Sequence, residues 1–247
     1  MPQHQTHSVH PGRRLWLTGL ATCSAPLLWA LTAGNALGAP QGVPASTAGT
    51  LSTAPLLILG DSLSAEYGLP RGQGWVALME ARLRAKGPTI PVVNASISGE
   101  TTAGGLSRLP ALLKAHRPGV VVIELGANDA LRGLSLKVTQ DNLSRLVSLA
   151  QAQRAEVVLV GMQMPPNFGQ RYADQFAALF TTVAQTHRVP LVPFMLAGVA
   201  DRPDARDWFQ ADGIHPQAKA HPVILDRNIW PVLLPVLNAL QKPSKKR

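Results

Sequence analysis

The chain has 247 residues, 46% hydrophobic and 15% charged, which is enough for one sizeable core. Its formal charge of +9 is scattered apart from Arg13, Arg14 and a tail cluster of Lys242, Lys245, Lys246 and Arg247, so it forms solvated faces and not a nucleic-acid patch. A single cysteine, Cys23, excludes a disulfide framework and a Cys-based zinc site, and suits an oxidising compartment.

Residues 1–38 read as an export signal. Arg13 and Arg14 form its positive region, Leu15 to Leu37 its apolar stretch, and Ala36-Leu37-Gly38 offers small residues for cleavage before Ala39. Both the twin-arginine and the general secretory route fit. Residues 39–54, rich in Ala, Ser, Thr, Gly and Pro, read as a linker, residues 55–241 as one catalytic-sized domain, and 242–247 as a basic tail. The tail is either a free end or a weak contact with an anionic membrane surface.

From Pro55 the chain alternates. Apolar runs of strand length fall at 55–60, 91–95, 119–125, 156–162 and 190–194. Segments with helical spacing fall between and after them, at 73–86, 103–116, 137–154, 168–187 and 222–240. Near-continuous Val, Ile and Leu strands alternating with helices predict a parallel sheet covered on both faces, a three-layer α/β/α sandwich.

The residues with chemical potential sit at strand ends, where open parallel sheets bind ligands. Gly60-Asp61-Ser62-Leu63-Ser64 follows the first strand, so Ser62 either caps a turn or offers a hydroxyl to a ligand. Gly99 follows the second strand, just before a helix opened by Thr101 or Thr102. There it is either a turn glycine or a free N–H at a helix N-terminus. Asn128 follows the third strand, either as a turn residue or as an amide donor on the same edge. Glu124 lies within that strand and is expected to be a hydrogen-bonded structural carboxylate, since an unpaired buried charge is too costly.

Near the C-terminus, Asp212-Gly213-Ile214-His215 places a carboxylate three residues before an imidazole. Such a carboxylate fixes the ring tautomer and leaves the other nitrogen free as a base. The other histidines have duller settings. His116 and His187 close helical segments, and His221 is expected on the surface of the last helix. Gly72-Gln73-Gly74-Trp75-Val76-Ala77 fits a loose dinucleotide pattern, but it does not directly follow a strand and no acidic residue stands near 94. No phosphate-binding loop, H-E-x-x-H or G-x-S-x-G elbow occurs.

Taken together, Gly60-Asp61-Ser62-Leu63-Ser64, the Gly99 loop, Gly126-x-Asn128-Asp129 and Asp212-x-x-His215 resemble the four blocks of the GDSL or SGNH hydrolases, over about residues 55–240. Ser96 to Thr102, Leu131-Arg132-Gly133 and Gly161 to Asn167 resemble the bacterial secreted arylesterase, lysophospholipase and acyl-CoA thioesterase branch. The resemblance implies a five-stranded, flavodoxin-like parallel sheet and a serine hydrolase of acyl esters and thioesters acting through an acyl-enzyme. It implies Ser62 as nucleophile, His215 as general base and then acid, and Asp212 as the group that orients the ring. The Ser62 and Gly99 backbone N–H groups and the Asn128 side chain would form the oxyanion hole. Leu131, Leu134, Met164 and Phe168 are expected at the acyl pocket; Ala130 stands where that branch often has Gly, and this methyl beside Asn128 leaves the acyl-chain preference open. No metal or cofactor is implied. The expected partner is a small acyl ester or thioester, not a nucleic acid, and the expected state is a monomer. Two alternatives stand: a carbohydrate O-acetyl esterase, and a non-catalytic module holding an anion at its helix N-termini.

Overall fold

The structure is a computed structural model that describes residues 54–85 and 90–241. The segments read from the sequence as an export signal (1–38), a linker (39–54, apart from Ala54) and a basic tail (242–247) lie outside the described residues.

Five parallel strands form one sheet: β1 (Leu56–Gly60), β2 (Val92–Asn94), β3 (Val120–Glu124), β4 (Glu156–Val160) and β5 (Leu191–Val192), in the order β2-β1-β3-β4-β5. Every residue of β1 and β3 is buried. Side chains alternate between faces along a strand, so both faces must be covered. The helices α1 (Trp75–Ala85), α2 (Thr102–His116), α3 (Ala127–Leu131), α4 (Leu136–Ala152) and α5 (Gln170–His187) follow in turn. The layers on the sheet are α2, α4 and α5 side by side, and α1 against the last helical segment. Trp75 and Met79 of α1, Leu109 of α2, Leu143 and Leu146 of α4, and Phe176 of α5 are fully buried against the strands. Phe176 and Phe180, one turn apart, meet edge to face at 5.2 Å.

This strand order has one feature that places the site. The chain leaves β1 for β2 on one side, then crosses to β3 on the other. The reversal opens a crevice at the C-terminal ends of β1 and β3. Gly60 pairs with Glu124 at that edge, so the segments carrying Ser62 and Asn128 leave the sheet side by side.

The predicted strands and helices are present, with local differences. β5 is two residues long because Pro190 and Pro193 flank it and neither supplies an N–H to a ladder. The short α3 lies inside what reads as a loop. The segment read as one helix over 222–240 is α6 (His221–Val223), a π-helical stretch (Ile224–Ile229) and α7 (Trp230–Leu240). Pro222, Pro231 and Pro235 each remove a donor from its ladder. His221 is not on the surface: it is 2% exposed, and its Nδ1 accepts the Trp75 backbone N–H at 3.1 Å. Burial pulls its pKa down, which suits an acceptor that must stay neutral.

Candidate active site

Ser62 stands where β1 ends in a tight turn. Asp61 builds that turn: its carbonyl accepts from Ala65 N–H at 3.0 Å, and its Oδ1 accepts from Leu63 N–H at 3.0 Å. Gly60 is required by the space beneath. A Cβ there would lie 2.8 Å from Glu124 Oε2 and 2.8 Å from the Ser64 hydroxyl, closer than real atoms come.

Asp212 and His215 are presented by a closed loop. Gln210 N–H donates to His215 O at 2.7 Å, and Gln217 N–H to Trp208 O at 2.8 Å. The Gln210 side chain donates across to Tyr67 O at 2.9 Å, which ties this loop to the one that follows Ser62. As a result His215 Nε2 lies 2.8 Å from Ser62 Oγ, while His215 Nδ1 lies 2.6 Å from Asp212 Oδ2. An imidazole held between a carboxylate and a hydroxyl can withdraw the hydroxyl proton. Asp212 Oδ1 also accepts from the backbone N–H groups of Ile214 at 2.9 Å and His215 at 3.0 Å. Desolvation pushes the Asp212 carboxyl up, but these hydrogen bonds outweigh it and hold the group at about 2. The carboxylate is therefore ionised throughout the working range. The Tyr67 ring covers the imidazole at 4.3 Å between centroids.

The segment carrying Gly99 is tied to the start of the Ser62 turn, where Ile97 N–H donates to Gly60 O at 3.0 Å. Among the described residues, neither the Ser62 nor the Gly99 backbone N–H has a protein acceptor. Gly99 sits at φ +79°, a left-handed conformation that favours glycine, and its carbonyl accepts from the Arg132 guanidinium at 2.7 Å. Thr101 caps α2, as one of the two sequence readings has it. Asn128 Nδ2 donates to Asp61 Oδ2 at 3.0 Å, which leaves its second N–H for another acceptor. Asp129 accepts from the Thr102 N–H at 2.8 Å and the Thr102 hydroxyl at 2.5 Å, and so joins the start of α2 to α3.

A cleft of about 1240 Å³ opens beside these groups. Leu63 and Asp212 line it, whereas Ser62 and His215 stand at its edge and not among its lining residues. Of the four residues expected at an acyl pocket, Leu131 and Met164 line this cleft, whereas Leu134 and Phe168 are exposed and do not. Its far wall, from Phe194 and Leu196 to Phe209, carried no sequence signal, because the 194–209 loops have no periodicity or motif. Ala130 is 1% exposed and packs into the core, with its carbonyl accepting from the Tyr172 hydroxyl. Among the described residues no cluster of three or more His, Cys, Asp or Glu side chains is arranged to hold a metal ion.

Sequence reasoning also missed Gln210, Tyr67 and Arg132. Each acts through a contact between segments distant in sequence, and none has a local pattern to announce it. The carboxyl pair Asp61 and Glu124 was half legible, since a carboxylate in an apolar strand must find partners.

Comparisons with known proteins bear on the fold and the family. A model of the GDSL-like Lipase/Acylhydrolase family matches residues 58–223. Over 182 residues, 74% of this chain and 89% of the relative, the sequence is 50% identical to Esterase TesA of Pseudomonas aeruginosa. Over 171 residues, 69% of this chain and 79% of the relative, it is 44% identical to Thioesterase 1/protease 1/lysophospholipase L1 of Escherichia coli K12. The fold is similar to the crystal structure of the psychrotrophic esterase EstA from Pseudoalteromonas sp. inhibited by monoethylphosphonate. The TM-score is 0.69 at 42% identity, covering 75% of this chain and 99% of that one. Five parallel strands, a serine at the end of the first, and a family match running through both lead to one conclusion: the chain belongs to the GDSL-like lipase/acylhydrolase family.

Proposed function

We propose that the chain hydrolyses carboxylic acyl esters and thioesters through an acyl-enzyme on Ser62. The carrying observation is the relay of contacts from Asp212 through His215 to the Ser62 hydroxyl, at 2.6 and 2.8 Å. His215 Nε2 takes the hydroxyl proton as Ser62 Oγ attacks the acyl carbon. Asp212, held ionised, stabilises the imidazolium. The negative charge that develops on the carbonyl oxygen meets the Ser62 N–H, the Gly99 N–H and the free N–H of Asn128. The imidazolium then protonates the departing alcohol or thiol. A water, deprotonated by the same ring, releases the acid and restores Ser62. No step calls for a metal or cofactor.

The cleft supports an acyl chain as the group recognised. Leu63, Leu131, Met162, Met164, Phe194 and Leu196 line it with apolar surface, and burying each methylene contributes about 0.8 kcal/mol. Aryl esters, acyl thioesters and lysophospholipids fit that surface. The names of the relatives, esterase in one case and thioesterase and lysophospholipase in another, point the same way. The N-terminal Arg pair and apolar stretch support export to the periplasm or beyond. The working unit is taken as a monomer.

A panel of p-nitrophenyl acyl esters of rising chain length, acyl-CoA thioesters, lysophosphatidylcholine and an acetylated glycan tests this reading. Turnover of the acyl esters that disappears in Ser62→Ala is expected. Preference for the acetylated glycan would replace it with a carbohydrate deacetylase. No turnover of any substrate by folded protein would leave an anion-binding module.

A further inference from the structure

Two buried carboxyl groups lie under the oxyanion side of the site, and the proton relay uses neither. Asp61 is 1% exposed and Glu124 is 2% exposed. Asp61 Oδ1 accepts from Leu63 N–H at 3.0 Å, and Asp61 Oδ2 accepts from Asn128 Nδ2 at 3.0 Å. Glu124 Oε2 accepts from the Ser64 hydroxyl at 2.7 Å and from Asp61 N–H at 3.2 Å. The Asp61 N–H on Glu124 Oε2 sets the two acidic residues side by side, and the charge of Asp61 acts on Glu124.

Their adjacency in a buried place decides the protonation. A carboxylate only accepts, so two ionised carboxylates have no hydrogen to share. Two adjacent buried charges of one sign also repel. One proton must stay in the pair. The donors around Asp61 show which member is charged. Leu63 N–H and Asn128 Nδ2 occupy both of its oxygens, and both contacts are strongest to an anion. Glu124, buried at the C-terminal end of β3 after four apolar residues, has both of its donors on Oε2 and keeps Oε1 for the proton, so it is the member for which ionising is most costly. The titration directions agree. Burial raises Glu124 well above the ordinary carboxylate range, and the Asp61 charge raises it further. Burial raises Asp61 too, to about 6, against the pull of Leu63, Glu124, His215 and Asn128.

We infer that Glu124 is a neutral acid that donates to an ionised Asp61, and that Asp61 is a positioning residue that fixes the Asn128 amide with its N–H groups toward the oxyanion. An amide side chain can turn over and exchange its oxygen for its nitrogen. A pure acceptor at Asp61 permits only one of the two orientations, the one with Nδ2 inward. The second N–H of that nitrogen is then set before the substrate arrives, which is what electrostatic stabilisation of a transition state requires. His215 is the further titratable group that acts on Asp61, and its charged form favours the same ionised state. The inference rests on Asn128 being an oxyanion donor, as proposed above.

The test uses steady-state kinetics on a p-nitrophenyl ester with Asp61→Asn, Asn128→Ala, the double variant and Glu124→Gln, together with infrared spectra of the unmodified protein. Asp61→Asn places an NH₂ against either Leu63 N–H or Asn128, so kcat is expected to fall about 10²-fold with KM little changed. The double variant is expected to be no slower than Asn128→Ala, because Asp61 acts only through that amide. Glu124→Gln keeps a neutral donor and an acceptor of the same shape, so its kcat is expected within a few-fold of the parent. The neutral-acid carbonyl stretch is expected in the parent at neutral pH and absent from Glu124→Gln. Multiplicative losses in the double variant, a folded Glu124→Gln as slow as Asp61→Asn, or a parent spectrum without the neutral-acid band would each overturn the inference. The band requires no variant, so it decides the protonation even if a substitution prevents folding. If Asn128→Ala alone turns over normally, the oxyanion assignment fails first, and that outcome is separate from the others.

Discussion

Replacing Asp212 by Asn separates geometry from proton chemistry. Asp212 makes three contacts: Oδ1 accepts the Ile214 and His215 backbone N–H groups at 2.9 and 3.0 Å, and Oδ2 faces His215 Nδ1 at 2.6 Å. Asparagine keeps one oxygen, and the two backbone donors claim it. Its NH₂ then faces Nδ1, which must become the acceptor. The ring proton moves to Nε2, 2.8 Å from Ser62 Oγ, where a base is needed. The wrong tautomer in such a relay costs about 10⁴ in kcat, roughly 5.5 kcal/mol of barrier. The fold has little reason to respond. The Asp212 side chain is 37% exposed, and its loop stays closed through Gln210 and Gln217. A loss of about 1 kcal/mol would lower Tm by about 2–4 °C in a domain of this size. The assay is kcat for a p-nitrophenyl ester at pH 8 beside a thermal melt. A kcat within tenfold of the parent, with the melt unchanged, would refute the tautomer argument. A large loss that tracks unfolding would refute the claim that the loop holds itself together.

Three further outcomes follow from the same structure. Gly60→Ala forces a methyl to within 2.8 Å of both Glu124 Oε2 and Ser64 Cβ, neither of which is a free end, so it should cost about 1–3 kcal/mol of overpacking by denaturant titration and lower kcat as well. Gly99→Ala puts a side chain at φ +79° with its Cβ 3.4 Å from the Arg132 guanidinium, so about 1–2 kcal/mol of strain and a fall in kcat with KM retained are expected. Asp61→Asn should also change how stability depends on pH. Folded Asp61 titrates at about 6 against an ordinary 3.8, so the folded state keeps a proton that the unfolded chain releases between those values. The parent should therefore lose stability relative to the variant as pH rises from about 4 to about 6, and the two should run parallel above that; melts of both proteins at four pH values would show a flat difference if Asp61 is not raised.

Much of the fold was legible because the strands announce themselves. Val120-Val121-Val122-Ile123 and Leu56-Leu57-Ile58-Leu59 are apolar without alternation, which only a sheet buried on both faces accommodates. The candidate site residues stood out for a related reason: Ser62, Gly99, Asn128 and the Asp212–His215 pair each follow apolar runs or keep a local spacing that the proposed chemistry demands. What stayed hidden depends on long-range packing. His221 looks like any polar residue in an amphipathic helix, yet it folds under α1 to accept the Trp75 N–H. Gln210 carries no pattern, yet it joins the His215 loop to Tyr67. The far wall of the cleft at Phe194, Leu196 and Phe209 comes from loops whose course only the packed sheet determines.

The central claim is that the Ser62 hydroxyl, activated by His215, attacks an acyl carbon. Its most direct test is covalent: treat the folded protein with a fluorophosphonate, digest it and map the adduct by mass spectrometry. A single adduct on Ser62, formed quickly in the parent and at least a hundredfold more slowly in His215→Ala, is the outcome the geometry requires, with the hundredfold taken from the low end of general-base catalysis, about 10²–10⁴. An adduct on another serine, or labelling of Ser62 at the same rate without the imidazole, would contradict it.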